Sequence, residues 1–315
     1  MTKDLTKGSP MKLIISFAVP LLFGFLFQQF YNLADTIIVG RFVGVEALAA
    51  VGSVGGLNYL VLGFVNGIAC GFSIPISWTF GAKDYREMRR YTANTVWLSL
   101  FFAVVLTVVT VALTRAVLVW TNTPDNIIDI ADIYIRTIFW GIPFTLLYNV
   151  TSALMRALGD SKSALYFLMI SSVLNIGGDL FFVEVLDWGS EGCALSTVLS
   201  EALCCVLCLI YIRWKVPVLQ LGRRWFIFDS SLLKKTISYG WTSAMQQATV
   251  QLGKIAVQAI VNTLGINAMA AFTAASRVDD FTYMPQQNIA HAMTTLMAQN
   301  HGAGKKERGR QGLFC

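Results

Sequence analysis

Charge is what this sequence has least of. Charged residues occupy 13% of its 315 positions, against 55% that are hydrophobic. A soluble domain carries about 25% charged residues, so this chain cannot cover a water-facing surface. Mean hydropathy is +0.60. Several motifs are also missing. No G-x-x-x-x-G-K-[ST] loop is present, which argues against ATP-driven work by this chain. No pair of aspartate clusters stands at a membrane face, where a prenyltransferase-like enzyme would hold Mg²⁺ and diphosphate. The N-terminal apolar stretch lacks the short core and small-residue cleavage site of a signal peptide, and it runs on to about Gly40. Six cysteines are present, but Cys205 and Cys208 lie within the apolar run ALCCVLCLIY. There they read as small buried hydrophobes rather than as a redox or metal pair.

What remains is a series of long apolar runs. Trp97–Val119 contains one charge, Arg115, and Ala164–Val183 contains only Asp179. A bilayer is crossed by about 20 residues. The pattern predicts an all-α integral membrane bundle with eight spans, near 12–40, 47–80, 89–119, 127–157, 162–186, 192–214, 233–262 and 267–300. The net charge of +6 does not indicate nucleic acid, because the basic residues fall between the spans. Nineteen lysines and arginines lie in the two tails and the even-numbered loops, and two, Arg41 and Arg115, on the other side. That asymmetry predicts a cytoplasmic N-terminus in a bacterial plasma (inner) membrane.

The chain also repeats itself. Shifted by 221 residues, GVEALAA at 44–50 falls on GINAMAA at 265–271, and GAKDYREMRR at 81–90 on GAGKKERGRQ at 302–311. One period holds six spans, so both copies share one orientation and a pseudo-two-fold axis along the membrane normal is expected. Residues 1–220 form a six-helix lobe, and residues 221–315 the first two helices of a second. A complete second copy would need roughly 130 more residues, so the repeat predicts a chain truncated in its second half. The alternative is a native eight-span protein.

Ionisable groups within spans are costly in hydrocarbon and are functional candidates by default. In FLFQQFYNLADTIIVG, Gln28, Asn32 and Asp35 share one helix face, with Pro20 earlier on the same helix as a site where it can bend. In SSVLNIGGDLFFV, Asn175 lies one turn before Asp179. Thr197 begins the sixth span and Tyr134 lies near the start of the fourth. Counted from the basic ends, Asp179, Thr197 and Asp35 sit about 26, 24 and 34 Å deep. Carboxylates, an amide and a hydroxyl at similar depth suit a proton or a hard cation such as Na⁺. Asp35 and Asp179 are expected to lie within about 10 Å of each other, roughly one Debye length at 0.1 M salt. The other reading makes both acids helix-to-helix hydrogen-bond partners. A second stripe, Gln247, Gln251, Lys254, Gln258 and Asn262, faces a wet cavity with Asp280 of the eighth span. Lys254 either pairs with Asp279 or Asp280 or snorkels outward.

These segments resemble the multidrug and toxin extrusion family. The likeness is carried by VPLLFGFLFQQFYNLADTIIVGRFVG, LMRALGDSKSALYFLMISSVLNIGGDLFFV and the QNHGAGKKER loop, and it covers essentially the whole chain. It implies the first eight of the family's twelve helices and no enzymatic activity. It implies H⁺- or Na⁺-coupled export of small organic, often cationic compounds by a monomer without a cofactor. By motif, Asp35, Asn175, Asp179 and Thr197 resemble the family's first-lobe cation site, with Tyr134 close by and Pro20 as the hinge. Gln28, Asn32, Gln247, Gln251, Lys254 and Asp280 would line the substrate cavity. Lys254 departs from branches that place an acid in the second lobe. A lipid-linked precursor flippase of the same superfamily would want several cavity bases, and only Lys254 and Arg277 are available.

Overall fold

The computed structural model describes residues 3–121, 123–222, 228–262, 264 and 266–313. Side chains of several residues between 262 and 280, Arg277 and Asp280 among them, lie outside the described set. Among the described residues the chain is helical, with no strand.

The helices are α1 (Pro10–Ile38), α2 (Val45–Gly81), α3 (Tyr85–Trp120), α4 (Ile128–Trp140), α5 (Ile142–Ala157), α6 (Ser161–Leu180), α7 (Gly189–Lys215), α8 (Ser230–Asn262), α9 (Ile266–Gly302) and the short α10 (Lys306–Leu313). Wider π-turns extend α1 through Val39–Val43 and α6 through Phe181–Val185. Start and stop signals are local. Pro10 opens α1, where its missing N–H costs nothing. Asp84 and Asp160 cap α3 and α6 by accepting from the backbone N–H of Glu87 (2.9 Å) and Ser163 (3.0 Å). Gly44, at φ 120°, ends the first span in a conformation that a side chain would strain.

Five helices are long and apolar enough to cross a bilayer, and α4 with α5 makes a sixth span. That fourth span, read from the sequence as one rod, is broken at Gly141 and bent by 46°. A Cβ at Gly141 would lie 2.5 Å from Val198 Cγ2, so α7 packs directly against the break. Helices α8 and α9 have the length of spans, 33 and 37 residues, but carry the polar stripes. Burial is inverted relative to a water-soluble protein. On α3, Phe101, Val104 and Val108 are all more than 60% exposed, while Thr92, Asn94, Thr95 and Ser99 are buried. Hydrocarbon solvates the apolar face, and the hydroxyls of Thr92 and Ser99 turn inward and donate to the carbonyls of Met88 and Thr95.

The principal core joins α2, α3, α4, α5 and α7 around Ile68, Phe72, Met88, Tyr91, Ile135 and Leu146. The second-lobe helices dock on it by close approach of small residues. Gly67 meets the backbone of Ser243 and Ala244, and Gly71 that of Tyr239 and Gly240. On the other side of the seam, Leu13, Ile14 and Phe17 of α1 pack on Ala292 and Leu296 of α9. The repeat is visible in these contacts. Cys70 Sγ lies 3.9 Å from His291 Nδ1, 221 residues away. A Cβ on Gly81 would strike Gln299 O, and one on Gly302 would strike Trp78 O. Trp78 and Gln299, like Gly81 and Gly302, differ by the same shift, so equivalent positions meet reciprocally across the seam.

The basic end of this seam is closed by a polar network. Gln299 Nε2 donates to Ala157 O, and its Oε1 accepts from Leu5 N. Asn300 reaches Leu5 O, and Lys305 Nζ reaches Thr6 O. Along α8, no described residue beyond Ala248 is buried, and along α9 none before Met284.

Candidate functional site

Three helices converge on a buried cluster in the first lobe. Asp35 comes from the last turn of α1, Asn175 and Asp179 from α6, and Cys193, Ser196 and Thr197 from α7. Gly178 makes the convergence possible, because a Cβ there would collide with Ser196 Oγ. Ser196 in turn donates to the Asn175 carbonyl at 2.8 Å, tying α7 to α6.

One carboxylate oxygen from each of Asp35 and Asp179 and the Cys193 sulfur lie within 4.8 Å of one another. Asn175 Nδ2 donates to Thr197 Oγ1 at 3.1 Å and to Asp179 Oδ1 at 3.4 Å. Thr197 Oγ1 donates to Cys193 O at 3.1 Å. Asp179 is fully buried and Asn175 is 3% exposed. Tyr134 of α4 is buried and faces Asp35, Cys193 and Asp179. The sequence-selected group Asp35, Asn175, Asp179, Thr197 and Tyr134 is therefore one constellation.

Three oxygens in it lack any hydrogen-bond partner: Asp35 Oδ1, Asn175 Oδ1 and Asp179 Oδ2. Orphaned buried acceptors are rare and costly. Two carboxylate charges at this separation repel by about 3–4 kcal/mol at an effective dielectric near 20. A proton or a small hard cation removes both penalties at once. The oxygen donors suit such an ion, whereas the single Cys193 sulfur does not make a soft-metal site.

The remaining candidates lie elsewhere. Pro20 is buried inside α1, which runs through it without a break. Gln28 lies one turn before Tyr31 on α1, and Asn32 Nδ2 donates to Gln29 Oε1 at 3.3 Å. Gln247 lines a cavity of about 290 Å³ at the seam, with Cys70, Ser243, Tyr283, Gln287 and His291. Gln251 packs against Gly63. Lys254 Nζ stands 5.7 Å from the centroid of the Tyr283 ring, and the Asp280 side chain lies outside the described set.

Sequence reasoning passed over Cys193, Ser196 and Glu201. Cys193, Thr197 and Glu201 are spaced by four along α7, and that stripe was the available signal. Glu201 accepts a short hydrogen bond from Thr145 Oγ1 of α5.

Comparison with known proteins follows the same lines. The MatE family model matches residues 20–181 and 243–314. The probable multidrug resistance protein YoeA of Bacillus subtilis is 32% identical over 320 residues, covering 99% of this chain and 69% of its own length. The probable multidrug resistance protein NorM of Thermotoga maritima is 25% identical over 300 residues, covering 94% of this chain and 64% of its own. A crystallised multidrug resistance MATE family transporter in its outward-facing conformation superposes with a TM-score of 0.92 at 25% identity, over 100% of this chain and 70% of that one. A family match across most of the sequence, joined to the same helical architecture, means that the chain belongs to the MATE family of membrane transporters.

Proposed function

We propose that this chain acts in cation-coupled antiport, exporting drugs and other small organic compounds across the bacterial inner membrane in exchange for H⁺ or Na⁺. The carrying observation is the Asp35–Asp179 pair, two acids within 4.8 Å beside three unpartnered buried oxygens. An empty pair bears the repulsion and the desolvation, and an ion relieves both. Binding and release therefore differ in free energy by several kcal/mol, enough to bias a two-state element. That element is α1, which carries Asp35 at one end and Pro20 in its interior. Coupling ion and drug are both substrates here, and no resident cofactor is invoked.

Drug efflux from cells expressing the chain is the test. The wild type should lower drug accumulation only while the ion gradient stands. Asp35→Asn, which can no longer cycle between charged and neutral forms, should remove that effect at unchanged expression. Efflux by Asp35→Asn equal to the wild type would overturn the coupling role. Orientation has its own check. A reporter fused after Lys235 should read cytoplasmic, and one after Gly189 external.

A further inference from the structure

A third acid of the first lobe, the half-buried Glu201, lies two turns along α7 from Cys193. Glu201 lies on α7 one turn beyond Thr197 toward the basic end, on the face that carries Cys193 and Thr197. It forms no ion pair among the described residues. Its Oε2 is held by the Thr145 hydroxyl. That hydroxyl also lies 3.3 Å from the Gly141 carbonyl, where the fourth span breaks and bends.

We propose that Glu201, Thr145 and the Gly141 carbonyl form a second proton-binding site in the first lobe, placed at the break of the fourth span. The Thr145 hydroxyl has a single proton to donate. When Glu201 is ionised, Thr145 donates to it, and the Gly141 carbonyl keeps its backbone donors, Phe144 N and Thr145 N. When Glu201 is protonated, the acid donates to Thr145, and Thr145 donates to Gly141 O. Both states are hydrogen-bonded, and moving between them needs only a hydroxyl rotation. A carboxylate inside a span without a basic partner is costly as an ion, so it has reason to take up the proton. Protonation adds the Thr145 hydroxyl to the backbone donors already on the carbonyl at the bend, so the charge of Glu201 is felt at the junction of α4 and α5.

The groups facing Glu201 are consistent with a proton station. Tyr31 on α1 lies within electrostatic reach of both Glu201 and Asp35. Tyr148 on α5 faces it, and so do Cys204 and Cys205 on its own helix. None of these is a base that would hold Glu201 permanently ionised.

Infrared difference spectroscopy on the whole chain in detergent, stepped in pH, reads the site directly. The wild type should show one more titrating protonated-carboxyl band than Glu201→Gln, and Glu201→Asp should retain it. Thr145→Val should shift the pH at which that band titrates, while Thr145→Ser should not. Identical band sets and titrations in wild type and Glu201→Gln overturn the proposal. Carbodiimide labelling of the wild type, which requires a protonated carboxyl, gives a reading that needs no variant. Peptide mapping should find adduct on Glu201 that declines as pH rises. A Glu201 that stays unlabelled at every pH, while Asp35 or Asp179 is labelled, also overturns it. Neither readout depends on transport, so failure here is separable from failure of the Asp35–Asp179 coupling role.

Discussion

At the scale of single residues, the site is built from side chains that would be liabilities in a structural role. Asp179 is fully buried with one oxygen unpartnered, and Asn175 spends its amide N–H groups while its carbonyl stays open. Groups that act as one unit show strongly non-additive losses. Efflux by the Asp35→Asn, Asp179→Asn double variant should therefore fall no further than in the weaker single variant. A product of two separate losses would show two independent sites. Replacing the Ser196 hydroxyl acts differently. Ser196→Ala removes one hydrogen bond, worth about 1 kcal/mol net, and should lower the thermal midpoint while sparing the ion preference.

Among the elements, the broken fourth span has the clearest consequences. Its sequence reads as one span because hydropathy continues across Gly141, yet Pro143 at the start of α5 cannot donate into the preceding turn, and Val198 of α7 packs directly on Gly141. Gly141→Ala must displace that side chain, and overpacking of this kind costs about 1–3 kcal/mol. A lowered thermal midpoint is expected, with recovery in Gly141→Ala, Val198→Ala. If the second substitution gives no recovery, the Val198 contact is not the cause. The polar helices α8 and α9 illustrate a different reading. Their stripes suggest a wet cavity; Gln247, Gln287 and His291 line one at the seam, whereas Gln251 packs on Gly63 and Lys254 stands over Tyr283.

Across the whole molecule, the two copies of the repeat meet about a pseudo-axis. Cys70 and His291 sit at equivalent positions and nearly touch, so the seam can be locked by one change. In His291→Cys, mild oxidation should join residues 70 and 291, since side chains this close allow disulfide geometry. Mapping the bridged peptides by mass spectrometry is the measurement. No bridge under any ion or drug condition would mean that the basic end does not close as described. The yield should fall when bound drug opens the seam. The Gln299, Asn300 and Lys305 contacts to residues 5–6 and Ala157 would have to break in the same motion.

Composition and periodicity by themselves determined the membrane class, the span positions, the repeat and the polar faces of α1 and α6. These are properties of one helix and its solvent, written in the order of apolar and polar residues. The acids Asp35 and Asp179 were legible for the same reason, since a charge in an apolar run stands out locally. Other features belong to pairs of helices that are distant in the chain. Cys193 and Ser196 look like ordinary small residues until α7 is laid against α6 through Gly178. Glu201 gains its meaning only from Thr145 and from the bend at Gly141. Close approach is a relation between two backbones, and the sequence of either one alone does not contain it. Tertiary packing therefore decided which polar atoms were left unpartnered.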